Sequence, residues 1–141
     1  MLELAAAKSK GAIPYSVTPD YTAKAREILG PEAWLCVEQK VCLTNIESEA
    51  RNVARKQMGR YLRWPNYLNN WKRMGFKEAD LEGHGSSKFL DAMVCWGSEK
   101  RIMSYLEEHF SSGADHVVVQ ALQPDGIEGT DFSVLQALAP K

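Results

Sequence analysis

The chain has 141 residues, 45% of them hydrophobic, with 17 Lys plus Arg against 18 Asp plus Glu. That is an ordinary globular composition of one-domain length; a net charge of -1 argues against a phosphate-tracking, nucleic-acid-binding chain, which would need a basic surplus or patch, and excludes a long acidic disordered tail. No apolar run approaches the ~18 residues of a membrane span, and Met1-Leu2-Glu3-Leu4 has an acid where a signal peptide has its basic region, so a cytoplasmic protein with no membrane partner is expected.

Residues 1–10 read as a helix end, with Lys8 and Lys10 where a helix C-terminus favours cations and Gly11 as the stop. Ala12 to Val17 is a short apolar segment with strand character, and Pro14 belongs near its end because it donates no backbone hydrogen bond. Thr18-Pro19-Asp20 starts a helix: a cap, a proline suited to the first position, and an acid at the positive end. That helix runs to Gly30, with Pro31 behind it. Trp34 to Leu43 reads as a mainly apolar strand interrupted by Glu38-Gln39-Lys40. Asn45 is a cap for the next helix, whose stripe is Ala50, Val53, Ala54, Met58, Tyr61 and Leu62.

Trp64-Pro65-Asn66 breaks that helix, and Pro65 starts another that carries Tyr67, Leu68, Trp71 and Met74 on one side. Residues 77–82 suit a single turn, and Gly83-His84-Gly85-Ser86 suits a loop. Ser86 or Ser87 caps a helix ended by Gly97, and Ser98 caps another ended by Gly113. His116 to Leu122 is the clearest strand, and its three consecutive valines predict burial on both faces. Thr130 is a candidate cap for a last helix with Phe132, Leu135 and Leu138. Three strands separated by helices predict right-handed βαβ units and a parallel sheet, an α/β fold over residues 1–141.

Chemistry-bearing patterns are few. Cys36, Cys42 and Cys95 form no CxxC and are odd in number, which suits small buried hydrophobes better than disulfides or zinc ligands. His84, His109 and His116 are too far apart for a local metal pair; His109 falls on an expected surface helix. No phosphate-binding Gly-rich loop and no GxSxG elbow is present. Parallel βα units place ligand sites at strand C-termini, which singles out Tyr15, Thr18, Thr44 and Gln120. A helix cap accounts for Thr18 fully, whereas Tyr15 and Gln120 are polar groups among apolar neighbours and need partners. The cluster Trp64-Pro65-Asn66-Tyr67-Leu68-Asn69-Asn70-Trp71 reads either as a helix packing its tryptophans on the core or as a lid over a flat ligand.

Four segments carry a family resemblance. Gly11 to Thr22 is similar to "GAHPYLVTPEHT", Leu62 to Trp71 to "LxLPNYxNNW", Asp91 to Gly97 to "DALVAWG", and Gly113 to Gln120 to "GADHVxVQ". In this order they resemble the bacterial luciferase-like monooxygenase superfamily, in its branch of oxidoreductases using 8-hydroxy-5-deazaflavin (coenzyme F-420), with FMN the cofactor of other branches. The resemblance implies the C-terminal part of a (β/α)8 TIM barrel about twice this length, its three parallel strands being the sixth, seventh and eighth. It implies that the loop holding cofactor phosphate lies just upstream of Met1. Ile13 stands where the family usually has His, so any role of that His is lost.

The activity implied is hydride transfer to or from the deazaflavin, or oxygen activation by reduced flavin, on a small-molecule substrate, with the cofactor supplying the chemistry. Tyr15, Ser16 and Gln120 are expected as cofactor pocket wall, and Tyr67, Asn70 and Trp71 as a substrate lid. No acid, base or nucleophile is assigned. Three parallel strands cannot close a barrel and leave open edges, so the chain alone is expected to be inactive and to pair as a homodimer or with a complementary half-barrel. A non-catalytic remnant or interaction piece is the alternative.

Overall fold

The structure, a computed structural model, describes residues 1–139. In chain order the elements are α1 (Leu2–Lys8), β1 (Gly11–Ala12), α2 (Pro19–Leu29), β2 (Trp34–Cys42), α3 (Glu47–Met58), α4 (Pro65–Arg73), α5 (Glu78–Leu81), α6 (Ser87–Met93), β3 (Val94–Trp96), α7 (Glu99–Ser111), β4 (His116–Leu122) and α8 (Phe132–Leu138). The fold is α/β, a parallel sheet with helices, as the spacing of strands and helices predicts.

β2 organises the sheet. β4 pairs with it in parallel from Cys36↔His116 to Cys42↔Leu122. β1 meets the start of β2 at Trp34 and Leu35, and β3 meets its end at Lys40 to Cys42. Because β4 occupies one edge of β2 over residues 36–42, β3 lies along the opposite edge. Gly11 is required where β1 meets β2, since a Cβ there would stand 2.0 Å from the Trp34 carbonyl oxygen.

β3 is a strand that the sequence pattern hides. The expected helix through Gly97 stops at Met93, and Val94-Cys95-Trp96 turns extended, as β-branched and aromatic residues favour beside a free strand edge. The first strand is shorter than Ala12 to Val17. Pro14 offers no N–H, although its carbonyl accepts from Glu38 N (3.2 Å), and Tyr15 makes only an isolated bridge to Glu38. Ser16 then takes φ 53°, which ends the extended run.

The expected burial of β4 on both faces is also corrected. Val117 and Val119 pack towards α7 and α8 with buried Ala121, but Val118 on the other face is 44% exposed. Among the described residues β4 pairs in parallel with β2 alone, so its far edge carries no third strand. Helix starts follow the expected chemistry with small shifts. Thr18 accepts from Tyr21 N and caps α2, Ser86 and Ser98 cap α6 and α7, and Asp131 rather than Thr130 caps α8. Neither Asn45 nor any other side chain caps α3; Thr44 Oγ1 accepts from Ile46 N just ahead of it.

The outer face of β2, Leu35, Val37 and Val41, packs beneath α2 and α7 with Ala25, Leu29, Ile102 and Leu106. On its inner side Cys42 joins Val53, Met58, Trp71, Phe89 and Leu90 from α3, α4 and α6. Arg26 of α2 ties the strand ends together. It donates to the Gly30, Ala33 and Gly113 carbonyls and to Asp115, whose carboxylate also accepts from Leu35 N.

Candidate functional site

The interruption Glu38-Gln39-Lys40 does not weaken β2; it furnishes its interior. All three residues are buried. The period of two puts Glu38 and Lys40 on the inner face and Gln39 on the outer one. Lys40 Nζ donates to Glu38 Oε1 at 3.0 Å, Glu38 Oε2 at 3.1 Å and Ser16 Oγ at 2.8 Å, which satisfies its donors. The ammonium also lies 3.9 Å from the centre of the Tyr15 ring and 5.6 Å from that of Tyr61, within cation–π range. Burial pulls the Lys40 ammonium below its ordinary pKa, and the adjoining Glu38 carboxylate opposes that pull.

Ser16 is held from three sides. Its N–H donates to Glu38 Oε2 (3.2 Å), its hydroxyl accepts from Lys40, and its carbonyl accepts from Trp71 Nε1 (3.1 Å). These bonds fix a serine in the left-handed region, a conformation that costs about 1 kcal/mol or more outside glycine. The turn so formed aims Tyr15 across the sheet. Tyr15 Oη donates to Gln120 Oε1 (3.2 Å), so its oxygen accepts from Tyr61 Oη at 3.0 Å. Burial first, then the Tyr61 hydrogen bond and the Glu38 charge, push the Tyr15 phenol far above its ordinary pKa. It is therefore a hydrogen-bond donor at neutral pH and not a phenolate base.

An aromatic row continues from there. Tyr61 stands edge-on to Tyr67 at 4.8 Å, Tyr67 lies 5.6 Å from Trp71, and Trp71 is edge-on to Phe89 at 4.7 Å. The structure thus brings together Tyr15, Ser16, Gln120, Tyr67 and Trp71 of the expected site. Trp71 is fully buried in the core and forms wall, not cover. Asn70 is set apart: with Arg73 it lies near the Tyr21 phenol of α2, and the two oppose the rise in pKa that burial causes there. Thr18 serves as a cap, and Thr44 bonds Glu49 at the far end of β2.

Glu38, Lys40 and Tyr61 do not stand out in the sequence as site residues. Two opposite charges two apart in an otherwise apolar strand are the signal for the first two. Tyr61 fits the apolar stripe of the preceding helix by its spacing, but that helix ends at Met58 and leaves it on a turn.

Other titratable groups are spent structurally. The three cysteines are buried and free, and burial pushes the thiols of Cys42 and Cys95 up to about 11 and about 12, so neither is a thiolate at neutral pH. His109, expected on a surface helix, is buried. Its Nε2 faces Gln39 Oε1 at 3.1 Å and its Nδ1 faces Thr22 Oγ1 at 2.9 Å. Gln39 Nε2 donates to the Lys40 and Met93 carbonyls, so Oε1 must accept, and the neutral imidazole carries its proton on Nε2. Among the described residues no group of His, Cys, Asp and Glu could hold a metal ion, and no helix is long and apolar enough to cross a membrane.

No family model and no curated protein matches the chain. Its fold does match solved structures. One is an F420-dependent secondary alcohol dehydrogenase in complex with an F420-acetone adduct, at 12% identity and a TM-score of 0.62 over 99% of this chain and 46% of that one. The chain therefore spans less than half the length of that structure. At such identity the likeness speaks to the fold: a parallel α/β sheet corresponding to part of a TIM barrel.

Proposed function

We propose that the chain is the C-terminal part of a deazaflavin-dependent oxidoreductase of the luciferase-like kind, and that it needs a second half-barrel for activity. The observation that carries this reading is the fold likeness over 99% of the chain to under half of an F420-dependent enzyme, joined to a polar, aromatic cluster on the inner face of the sheet.

The residues present fit one wall of a flat heteroaromatic ring. Tyr15, Tyr61 and Tyr67 offer ring edges, and Gln120, half-buried on β4, keeps its amide N–H2 beside them because its oxygen is taken by Tyr15. Among the described residues no buried side-chain polar atom lacks a partner, so the wall is preorganised. Bound there, the deazaflavin would supply the hydride acceptor or donor. The protein's part is to hold the ring and to exclude water. Tyr15 stays protonated and orients Gln120, while the Glu38–Lys40 pair fixes Tyr15 and Ser16 without adding net charge. The exposed inner face of β4 at Val118 and the free edge beside it are the surface that a complementary half-barrel, or a second copy of the chain, would cover.

Fluorescence titration with oxidised and reduced coenzyme F-420, and with FMN, tests this. The folded chain alone is expected to show no saturable micromolar binding, and deazaflavin binding is expected once a complementary half-barrel completes the sheet. Preferential FMN binding by the completed barrel would remove the deazaflavin assignment. Tight binding by the isolated chain would remove the need for a second half.

A further inference from the structure

A cavity lies behind the turn that delivers Tyr61. It has a volume of about 680 Å³ and is lined by Arg55, Lys56, Arg60, Arg63, Trp64 and His84, with no acidic side chain among its lining residues. In a chain of net charge -1, that is a local concentration of one sign. The macrodipole accounts for Arg55 and Lys56, which sit in the last turn of α3. It does not account for Arg60 and Arg63, which lie beyond the helix. Arg60 and Arg63 instead project from the turn after α3 into the groove that Arg55 and Lys56 already line, which concentrates four cationic side chains around one cavity.

Part of that charge is already answered from the loop between β4 and α8. Glu128 pairs with Arg60, and the Gly126 carbonyl accepts from Lys56. The Arg55 guanidinium donates to the Asn52 amide oxygen, a neutral partner. The Arg63 guanidinium has no protein partner among the described residues. Beside it Trp64 leaves 61% of its surface exposed, an indole face in a cationic groove.

We propose that this groove binds a small phosphate-bearing ligand with a planar ring, of the nucleoside phosphate class. The phosphate meets the forked donors of Arg63 and Arg60, whose geometry suits two-point contact with phosphate oxygens. The ring stacks on Trp64. Glu128 pairs with Arg60 and gives way to the phosphate, so it acts as a competing anion. This site is independent of the deazaflavin reading, because it uses none of the residues of the inner cluster.

The test is calorimetric titration of the chain at low salt with AMP, with ribose 5-phosphate and with adenosine. AMP is expected to bind saturably, and each fragment at least about tenfold more weakly. Arg63→Ala and Trp64→Ala, both at exposed side chains, should leave the circular dichroism unchanged and should each weaken AMP by about tenfold. Glu128→Gln should tighten it, a direction that no loss of fold produces. Absence of saturable AMP binding, or binding indifferent to Arg63→Ala, overturns the site. Ribose 5-phosphate binding as tightly as AMP overturns the ring-stacking half of the assignment.

Discussion

The two faces of β2 solve the same problem in opposite ways. On the outer face a buried polar side chain, Gln39, is satisfied by neutral partners, His109 and two backbone carbonyls. On the inner face, one residue to either side, burial is managed with a full ion pair, Glu38 and Lys40. A neutral network asks only that every donor meets an acceptor. An ion pair must also offset the loss of hydration of two charges, which favours it only where the surrounding bonds are complete. The outer face serves helix packing. The inner face fixes a strained serine and a tyrosine in one place, which suits a surface that must present hydroxyl groups in a set geometry.

Breaking the ion pair is the largest test of that contrast. Lys40→Met leaves the Glu38 carboxylate buried without its cation and is expected to cost about 3–5 kcal/mol, read as a fall in the urea midpoint. Glu38→Gln with Lys40→Met keeps an acceptor for Ser16 N and removes both charges, so it should recover at least half of that loss. If the double variant is no better than the single one, the pair's charge is not what matters and the inner face behaves like the outer.

The outer network should be broken by acid. Burial lowers the His109 pKa to about 4 from its ordinary 6.5. Between those values the unfolded chain takes up a proton that the folded one refuses, so stability falls as pH drops through that window. The slope is at most about 1.4 kcal/mol per pH unit and flattens once pH is below the folded value. Denaturant unfolding from pH 7 to pH 4 reads it, and His109→Gln should flatten this part of the profile. An unchanged slope in that variant would mean that the acid loss belongs to carboxylates elsewhere.

The outer network also shows what sequence can and cannot disclose. The parallel α/β class, the βα spacing, β4 to the residue, and the caps at Thr18 and Ser98 were all legible, because each follows from local chemistry; the cap of α6 was legible only as Ser86 or Ser87. Tyr15 and Gln120 were legible from topology, as polar residues near strand ends. His109 was not, since helix amphipathicity says nothing of a single imidazole meeting a glutamine 70 positions earlier in the chain. Nor was β3, where three residues change from helix to strand because an edge of β2 stands open beside them. Glu38 and Lys40 looked like an interruption because hydropathy scores each residue alone, whereas the pair is buried only as a pair.

Ser16 separates strain from bonding within the inner face. Ser16→Ala keeps a side chain at φ 53° and removes the acceptor of Lys40, and is expected to cost about 1.5–3 kcal/mol, the range for hydrogen bonds to charged groups. Ser16→Gly loses the same bond but relieves a left-handed conformation, which returns about 1 kcal/mol. The glycine variant should therefore unfold at a higher urea concentration than the alanine variant. The reverse order would show that the turn is not strained, and that the three bonds to Ser16 do not force its conformation.

The smallest effect is expected at Tyr15, and it bears on function more than on stability. Tyr15→Phe leaves the ring under the Lys40 ammonium, so the cation–π contact and the packing on Tyr61 survive. It removes one donor to Gln120 and one acceptor from Tyr61. Tyr61 and Gln120 are only partly buried, so water can replace the lost partner and the cost should stay near 1 kcal/mol. What changes is the amide of Gln120, which is no longer held by its oxygen and is free to turn. In a completed barrel that presents this wall to a flavin-like ring, the variant should weaken cofactor binding more than it lowers the urea midpoint. A variant that loses both in equal measure would make Tyr15 a packing residue, and the inner face would then differ from the outer only in its charge.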